Sequence, residues 1–567
     1  MKHREVSHSD LAALTAQGMP PLLARVYAAR GVRDISMLGE TLDGMLPPAS
    51  LKGIGEAVSL LSRAIANHQP ILIIADYDCD GATACAVAVR GLKMMGAQVD
   101  YLVPNRLVHG YGLTPPIVEL ALQHPRLGRP ALLVTVDNGI ASHEGVQTAN
   151  DAGLRVLVTD HHLPADTLPN AAAIVNPNQP GCPFPSKHLA GVGVMFYVLA
   201  ALRAHYRARA PQSAEAQAPL QTLLDLVALG SIADVVRLDE NNRRLVHAGL
   251  RRIRAGQACP GINALFAQAG RDPRSAASSD LGFVVGPRIN AAGRLADISL
   301  GIACLITDEP DEAARRAQAL DAINRDRREL EHTMREQAIA SVGAPADHAC
   351  SIVVHDPSWH EGVIGLVAGQ LKTRFGRPAF AFAPTADRSG WRGSGRSVPG
   401  IHLRDALDLV SKRMPHLISR FGGHAMAAGL SLSGDSVDAF AQALEQVLLD
   451  TADPECLQPE LVADGELDPG EASLEIAEAL GRQVWGQGFP EPVFACRFRV
   501  LGQRIVGERH LKLELMAGRR RFDGIAFGRD QPLPADPLLA YRLSVNEYRG
   551  MRSLQLVIEA CEGEAGL

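Results

Sequence analysis

Short apolar runs alternate with helical segments through the first part of the chain. The runs are five or six residues long and lie at Ile71–Ala75, Val99–Val103, Ala131–Val136 and Leu154–Val158. Each is followed by polar residues and then by a segment with helical spacing, which after the first run is Thr83–Met95. Apolar strands separated by helices are typical of a parallel sheet that is covered on both faces. The pattern therefore predicts an α/β core domain built on a parallel sheet.

The second half of the chain predicts three further parts. Asp308–Val342 is charged, with apolar residues three, four or seven positions apart, which indicates a long helix that connects two domains. The apolar runs Ile352–Val354 and Ala379–Ala381 begin a second, glycine-rich α/β unit. After Glu491 the pattern predicts a small module of about five strands. Its basic outward positions favour an OB-type β-barrel, and a generic β-domain for packing or dimerisation is the alternative.

These changes of pattern along the chain predict five segments. A length of 567 residues is typical of three to four domains of ordinary size. The five segments are an N-terminal segment (1–55), a catalytic core (56–240), a helical connector (241–347), a second α/β domain (348–452) and a β-barrel domain (460–567).

Composition narrows the class of protein. The chain is 47% apolar and 21% charged, as globular proteins are. Its longest uncharged apolar run, Leu189–Leu202, is too short to span a bilayer. The N-terminus shows no secretory signal, and the nine cysteines form no C-x-x-C pair. We expect a soluble cytoplasmic protein with no membrane association.

The distribution of charge changes the expectation about partners. A net charge of −6 argues against a nucleic-acid partner. However, only seven of the 56 basic residues are Lys, which leaves 49 Arg, and the guanidinium suits bidentate phosphate contacts. Arg497–Arg552 holds eleven Arg and Lys512 against six carboxylates, a local balance of +6. A basic segment in an acidic chain indicates nucleic-acid binding, although GC-rich codon usage also explains an excess of Arg.

Acidic and histidine side chains follow three of the predicted strands, in the segments ADYDCDG (75–81), VDNG (136–139) and TDHH (159–162), and Asp234 follows a predicted helix. Loops at the carboxyl ends of parallel strands meet in one crevice. Such a cluster repels itself unless cations occupy it. Carboxylates with imidazoles suit Mg²⁺ or Mn²⁺, and two such ions sharing a bridging carboxylate can hydrolyse a phosphoryl ester. Loop solubility, or a buried histidine pair, is the alternative explanation.

These segments also resemble a known family. DYDCDG, VDNG, TDHH and the Asp234 segment resemble the motifs of the DHH phosphoesterase superfamily. Four later segments resemble its RecJ branch: GPRINAAGRL (286–295), WHEGVIGLVAGQL (359–371), GSGRSVPGIHL (393–403) and FGGHAMAAG (421–429). The resemblance implies a parallel-sheet DHH core, a long connecting helix, a DHHA1-type second α/β domain and a C-terminal OB-type barrel.

The resemblance also implies an activity. It is that of an exonuclease that degrades single-stranded DNA in the 5′-to-3′ direction to mononucleotides, with two Mn²⁺ or Mg²⁺ ions, in DNA repair and recombination. A single-strand-binding protein and a helicase are the implied partners, and the chain is expected to be a monomer. The alternatives are a phosphoesterase for short oligonucleotides or cyclic dinucleotides and an inactive scaffold. Ile74 stands where the pyrophosphatase branch has a histidine, which favours the exonuclease branch.

Roles follow from the resemblance residue by residue. The implied metal ligands are Asp78, Asp80, Asp137, His161 and Asp234, with Asp137 as the bridge. His162 is expected to contact the scissile phosphate or assist catalysis, while Asp76 and Asp160 orient their neighbours. A 5′-phosphate pocket is expected from Arg106, Ser394 and Arg396, with a flexible turn as the alternative for the last two. Contacts to the strand are expected from Arg288, Asn290, Arg294, Gly422, Gly423 and His424; a helix surface and a tight strand-to-helix turn are the alternatives.

Overall fold

The computed structural model describes residues 2–39, 41–104, 110–343, 349–385, 387–434, 436–457, 461–507, 510–548 and 550–562. The chain divides into two compact units. The N-terminal unit consists of Ser7–Asn324 together with Arg482–Glu491. The C-terminal unit consists of Met1–Val6, Arg325–Gly481 and Pro492–Leu567. Among the described residues, no helix has both the length and the apolar character that a bilayer span requires.

The core of the N-terminal unit is a parallel sheet, as predicted. After the short strand β1 (Lys2–His3), which belongs to the other unit, the sheet strands are β2 (Ile71–Ala75), β3 (Val99–Leu102), β4 (Leu132–Val136), β5 (Arg155–Thr159) and β6 (Ala173–Val175). Their order is β3-β2-β4-β5-β6 with every pair parallel. All residues of β2 and β4 are buried, because helices cover both faces.

Helices account for the rest of the N-terminal unit. In chain order they are α1 (His8–Ala16), α2 (Pro21–Ala28), α3 (Ile54–Ala66), α4 (Cys79–Met94), α5 (Pro115–Leu122), α6 (His143–Asp151), α7 (Gly191–Arg209), α8 (Ala214–Gln217), α9 (Leu224–Ala233), α10 (Glu240–Arg254), α11 (Pro260–Gln268), α12 (Ser278–Asp280), α13 (Gly286–Leu295) and α14 (Ser299–Ile306). A π-helical turn, Leu281–Val285, precedes α13 directly.

Helix α4 begins four residues earlier than the apolar pattern predicts. The pattern places its start at Thr83, whereas the structure places it at Cys79. The reason is the side chain of Asp78, which caps the helix by accepting a hydrogen bond of 2.9 Å from the Gly81 N–H. The acidic loop after β2 is therefore partly a helix N-terminus, which limits the conformations available to its carboxylates.

The predicted long helix is confirmed as α15 (Pro310–Val342), which is 33 residues long. The division between the two units falls within it, between Asn324 and Arg325. It begins at Pro310, since the ring of proline suits the first turn of a helix.

The C-terminal unit contains a mixed five-stranded sheet. Its strands are β7 (Ile352–His355), β8 (Ala379–Pro384), β9 (Gly390–Arg396), β10 (Ile418–Gly423) and β11 (Ala427–Ser433), in the order β10-β11-β9-β8-β7. Only the pair β7–β8 is parallel. The accompanying helices are α16 (Ile364–Phe375), α17 (Leu403–Arg413) and α18 (Val437–Thr451).

The last part of the chain forms a six-stranded sheet. After β12 (Val462–Ala463), which pairs with β1, and α19 (Leu474–Gly481), the strands are β13 (Phe494–Arg497), β14 (Arg499–Val506), β15 (His510–Ala517), β16 (Arg520–Phe527), β17 (Leu538–Tyr548) and β18 (Met551–Cys561). Their order is β13-β17-β18-β16-β15-β14.

The strand count of this module exceeds the predicted five. The five predicted strands correspond to β14–β18, and the sixth, β13, was not predicted. The chain turns at Phe498, whose N–H bonds Pro537 O rather than continuing the ladder of β13. The ladders of the described residues run from β13 to β14 without closing into a barrel. Two backbone hydrogen bonds, from Phe498 and Val500 to Pro537 and Ala535, connect the start of β14 to the segment before β17.

Candidate metal centre and active site

Strand register brings three acidic loops together. Ala75 on β2 pairs with Val136 on β4, and Val136 pairs with Thr159 on β5. The residues that follow these three positions are Asp76, Asp137 and Asp160. They leave the sheet side by side at its carboxyl edge, as the sequence predicts.

The acidic and histidine side chains lie so close to one another that three groups of them could each hold a metal ion. Three groups of side chains each place one ligand atom per residue within 4.8 Å of the others: Asp137 with His161 and His162, Asp80 with His161 and Asp234, and Asp76 with Asp78 and Asp137. His161 Nε2 lies 3.2 Å from Asp137 Oδ1 and 3.4 Å from Asp234 Oδ2. Asp137 and His161 each belong to two groups, which places them at the centre of the cluster.

The backbone holds Asp80 rigidly. Its Oδ2 accepts a hydrogen bond of 2.6 Å from the N–H of Gly191, and its Oδ1 accepts one of 3.0 Å from the N–H of Val192. Both amides belong to the first turn of α7, whose free N–H groups and positive dipole end favour a carboxylate. Asp80 is 1% exposed. The helix N-terminus therefore fixes the position of this carboxylate.

Glycines make room for the carboxylates. A Cβ atom added to Gly191 would lie 2.5 Å from the Cβ of Asp137, and one added to Gly230 would lie 2.8 Å from Asp80 Oδ1. Asp137 itself has a φ of 61°, in the left-handed region that non-glycine residues rarely adopt. Such a conformation costs free energy and is typical of functional sites.

The carboxylates oppose one another electrostatically. Burial, followed by the charge of Asp78, raises the pKa of Asp80 to about 7. Burial and neighbouring carboxylates also raise the pKa of Asp76, Asp137 and Asp234 well above the usual range. At neutral pH the metal-free cluster thus carries carboxylates that resist ionisation, and a divalent cation would relieve this repulsion.

His162 has the opposite electrostatic environment. Burial acts to lower its pKa, but the hydrogen bond and charge of Asp160 outweigh burial and raise the pKa to about 9. His162 Nδ1 lies 2.8 Å from Asp160 Oδ1, and Asp160 also accepts a 2.9 Å hydrogen bond from the Ile140 N–H. Burial of Asp160 is likewise outweighed, chiefly by His162, and its pKa is lowered. The pair is therefore an imidazolium held by a carboxylate at neutral pH.

The donor set fits a hard divalent cation. Asp137 Oδ1 is buried and accepts no hydrogen bond of good geometry from the described residues, although it lies close to His161. Carboxylate oxygens with one or two imidazoles, and no thiolate, suit Mn²⁺ or Mg²⁺. Cys79 lies within the cluster's sequence, but burial and three neighbouring aspartates raise the pKa of its thiol well above the usual value, so it stays protonated. The thiol is 1% exposed, which disfavours oxidation.

Several residues at the site were not predicted from the sequence. Tyr111 places its hydroxyl 3.4 Å from His162 Nδ1 and 3.5 Å from Asp137 O. Asn176 and Asn178 donate side-chain hydrogen bonds to the carbonyl oxygens of His162 and His161. The two asparagines could have been found from the sequence, because they follow β6, a further parallel strand. Residues that follow parallel strands meet at the carboxyl edge of the sheet.

Three residues of α13 were predicted to contact the DNA strand. This helix packs inside the N-terminal unit. Arg288 is 6% exposed and forms a 2.9 Å ion pair with Asp321. Asn290 Oδ1 accepts a 2.8 Å hydrogen bond from the N–H of Cys79. Arg294 is partly buried near the end of the helix. Their assignment to DNA contacts stays a prediction.

The predicted phosphate pocket lies on strand β9, not in a flexible turn. Arg396 Nη1 donates a 3.2 Å hydrogen bond to Ser394 Oγ, and both side chains border Gly365 in the first turn of α16. A helix N-terminus beside an arginine and a hydroxyl suits an anion. The glycines at 393 and 395 have a packing reason as well, since a Cβ on either would lie 2.3 Å from a phenylalanine ring. Arg106 lies outside the described residues.

The glycine-rich segment forms a β-hairpin end rather than a strand-to-helix turn. Gly422 and Gly423 close β10, and the His424 N–H bonds Ala427 O at the start of β11. Gly423 has a φ of 137°, and a Cβ there would lie 2.5 Å from Ala427 O. Glycine is thus required at this turn for backbone reasons, whether or not a ligand binds there.

Comparison with known families agrees with the fold. The model of the DHH family, N-terminal domain, matches residues 70–231, the model of the DHHA1 domain matches 348–450, and the model of the RecJ OB domain matches 463–560. A parallel sheet with acid-bearing carboxyl ends, followed by these two domains, defines a phosphoesterase of the DHH superfamily.

Relatives cover the whole chain. The single-stranded-DNA-specific exonuclease RecJ of Escherichia coli (strain K12) is 47% identical over 99% of this chain and 98% of its own length. RecJ of Haemophilus influenzae is 45% identical over 96% of both chains. The crystal structure of RecJ from Thermus thermophilus in complex with Mn²⁺ has a TM-score of 0.81 and 30% identity, covering 99% of this chain and 79% of that chain. A structure of the same protein with Mg²⁺ has a TM-score of 0.76. The chain belongs to the RecJ family.

Proposed function

We propose that this chain is an exonuclease that hydrolyses single-stranded DNA from its 5′ end and releases mononucleotides, with Mn²⁺ or Mg²⁺ as its cofactor. The observation that carries the proposal is the clustering of Asp76, Asp78, Asp80, Asp137, His161 and Asp234 in groups that could each hold a metal ion. The relatives that match the full chain are named as exonucleases specific for single-stranded DNA. A role in DNA repair and recombination is proposed for this chain as well.

The cluster's residues divide into ligands and orienting groups. We assign Asp78, Asp80, Asp137, His161 and Asp234 as ligands of two ions, with Asp137 as the bridge because it is the carboxylate that belongs to two of the three groups. Asp76 also lies within reach of a shared ligand point with Asp78 and Asp137, so its position fits a ligand as well as an orienting residue. When bound, the ions would activate a water molecule and neutralise charge on the scissile phosphate.

We assign His162 as a protonated side chain that donates to the substrate. The Asp160 contact and the Tyr111 contact both use Nδ1. Nε2 is therefore the atom that can donate a hydrogen bond to a phosphate oxygen or a proton to the leaving 3′ oxygen. Because Asp160 keeps the ring protonated at neutral pH, that proton is available throughout the physiological range.

The C-terminal unit is proposed to bind the single-stranded DNA. Ser394 and Arg396 are proposed to bind a 5′-phosphate, and Gly422, Gly423 and His424 are proposed to let the strand approach the backbone closely. The same phosphate role stays a prediction for Arg106, which lies outside the described residues. In the N-terminal unit, contacts to the DNA strand are proposed for Arg288 and Arg294, whereas the hydrogen bond that Asn290 accepts from the Cys79 N–H favours a role at the metal-binding loop. The OB domain, with its net positive segment, is proposed to guide the strand.

The remaining assignments concern domains and partners. We propose domain limits of 1–55, 56–240, 241–347, 348–452 and 460–567, and the three family-model matches lie inside the corresponding limits. A monomer in the cytoplasm, acting with a single-strand-binding protein and a helicase, remains a prediction.

The test is degradation of single-stranded DNA labelled at one end or the other, with Mn²⁺ and with EDTA. Early release of the 5′ label as a mononucleotide, a shortening 3′-labelled ladder and an intact duplex are expected. The matched control is Asp137→Asn prepared in parallel, which excludes a contaminating nuclease. Activity limited to oligonucleotides of a few residues would instead identify a small-substrate phosphoesterase, and binding without hydrolysis would identify a scaffold.

A further inference from the structure

Helix α13 and the π-helical turn before it share one face, and this face contacts two segments that carry metal-site residues. A Cβ on Gly282 would lie 3.2 Å from Ile232 Cγ2, and one on Gly286 would lie 3.1 Å from Ala233 Cβ. Ile232 and Ala233 form the end of α9, directly before Asp234. The first two turns of this face therefore pack against the helix that presents Asp234.

The same face continues onto the acidic loop after β2. Asn290 Oδ1 accepts a 2.8 Å hydrogen bond from the N–H of Cys79, 211 residues away in sequence. A Cβ on Gly293 would lie 1.9 Å from Tyr77 O, so the helix backbone contacts this loop closely. Positions 282, 286, 290 and 293 are spaced by four, four and three residues, which places them on one face of a helix.

The hydrogen bond to Cys79 has a specific structural meaning. Cys79 is the first residue of α4, and the N–H groups of a helix's first turn lack partners within the helix. Asp78 supplies a partner for Gly81, and Asn290 supplies one for Cys79. Asn290 thus completes the capping of the turn that aims Asp78 and Asp80 at the cluster.

Helix α13 is itself anchored on another side. Arg288 forms its ion pair with Asp321 on α15, and both side chains are largely buried. Arg288 Nη1 also donates a hydrogen bond to Val284 O, which connects the helix to the π-helical turn. The helix is therefore held in place independently of the loop that it contacts.

We propose that Asn290 is a positioning residue for the metal-binding loop, and that α13 braces this loop and the Asp234 helix against each other. The inference rests on the proposed function, because it concerns the same metal site, but it assigns Asn290 to the metal side of the reaction rather than to the DNA strand. Groups that orient metal ligands affect metal affinity or activity by about 10- to 100-fold.

The experiment is titration of the full-length, metal-free protein with Mn²⁺, with free Mn²⁺ measured by electron paramagnetic resonance. Asn290→Ala should weaken Mn²⁺ binding by about tenfold or more. Asn290→Asp keeps an oxygen that can accept the Cys79 N–H, and should bind Mn²⁺ close to the wild-type value. The matched control is Asn263→Ala on α11, which removes a local hydrogen bond to Ala258 O and should leave Mn²⁺ affinity unchanged.

Two further measurements separate positioning from other roles. If Asn290 contacts DNA instead, Asn290→Ala will raise KM for single-stranded DNA and leave Mn²⁺ affinity at the wild-type value, which would overturn the inference. A lower melting temperature with unaltered Mn²⁺ affinity would overturn it too. Gly293→Ala, which pushes on Tyr77 O from the same face, is expected to weaken Mn²⁺ binding in the same direction. Failure of the wild-type protein to bind Mn²⁺ would reject the proposed function itself.

Discussion

At the scale of single residues, the acidic cluster is held by contacts that do not depend on a cation. The amides of α7 fix Asp80, Asp78 caps α4, and Asp160 is paired with His162. What the protein does not compensate is the mutual repulsion of the remaining carboxylates, which is reflected in raised pKa values. The site is preorganised for cations and is destabilising without them.

The first prediction concerns Asp137→Asn. It should reduce hydrolysis at saturating Mn²⁺ by about 100-fold or more, since a metal contributes several kcal/mol to such reactions.

The same variant should also change the stability of the metal-free protein. The pKa of Asp137 is raised in the folded protein, so ionisation of this carboxyl opposes folding once the pH exceeds its unfolded value of about 4. The metal-free variant should therefore exceed the wild type in stability by a margin that grows as the pH rises from about 4 upwards. Chemical denaturation in EDTA at several pH values measures this margin. A constant margin would contradict the electrostatic account, and retained turnover would contradict the ligand assignment.

The second prediction concerns Asp160→Asn. The variant keeps the shape of the side chain and removes the charge that raises the pKa of His162 to about 9. The pKa of His162 should fall towards its usual value of about 6.5, and the alkaline limb of the pH–rate profile should move to lower pH. Initial rates between about pH 6 and 10 at saturating metal measure this limb. An unmoved limb would show that the protonated ring is not required.

The third prediction concerns Arg396→Ala. Its guanidinium lies beside Ser394 and the first turn of α16, so its loss should remove most of the preference for a 5′-phosphate while the rate on long strands is kept. The comparison is between strands with 5′-phosphate and 5′-hydroxyl ends. Arg413→Ala, which removes a surface ion pair with Asp450, is the control and should leave the preference intact. The same preference in both variants would rule out this pocket.

At the scale of elements, helix N-termini and glycine contacts set the position of the catalytic loops. The first turn of α7 binds Asp80, and Gly191 in that turn also adjoins Asp137. One short stretch of helix therefore controls two of the carboxylates. A side chain at Gly191 cannot be accommodated without displacing one of them.

The fourth prediction follows from this contact. Gly191→Ala should lower activity and Mn²⁺ affinity, by about tenfold or more, because its Cβ would lie 2.5 Å from the Asp137 Cβ. Gly55→Ala on α3 is the control, since no atom lies within 4 Å of a Cβ there. That control should be neutral or stabilising, as alanine is favoured over glycine in a helix by about 1 kcal/mol. Equal Mn²⁺ affinities in the two variants would show that the Gly191 contact is unimportant.

The elements also show which features a sequence can predict. Strand ends are predictable because apolar runs and in-register parallel pairing are local regularities, so Asp76, Asp137 and Asp160 were expected at one edge. The contacts that complete the site are not local. Gly191 and Asp80 are 111 residues apart, and Asn290 and Cys79 are 211 apart. Strand β13 was missed for a similar reason, because it pairs with β17, which follows three further strands in the chain.

At the scale of the whole molecule, charge is unevenly distributed. The chain carries a net charge of −6, whereas the OB domain carries a basic segment. On β14–β16, strand pairing places Arg504 opposite Lys512 and Arg521 opposite Met516. Leu511, Leu513 and Leu515 between them are buried, so the alternate positions that hold these basic residues face outwards. The same face also carries Glu514 and Asp523, and Lys512 lies 3.5 Å from Asp523, so Arg504 and Arg521 are the basic residues that this face offers to the phosphates of a single strand.

The fifth prediction concerns Arg504 and Arg521. The double variant Arg504→Ala/Arg521→Ala should weaken binding of single-stranded DNA and flatten the plot of log affinity against log salt by about 0.7 for each phosphate that the variant no longer binds. Deleting the whole domain is a poorer test, because Arg482–Glu491 belongs to the N-terminal unit, where Trp485 and Phe489 stack with Tyr27. Binding isotherms at several salt concentrations, with Ca²⁺ in place of Mn²⁺ to prevent cleavage, give the slope. Arg413→Ala again provides the control for removal of a single positive charge outside the OB domain. A slope equal to that of the wild type would mean that these two arginines do not contact phosphate, and that the OB sheet serves packing instead.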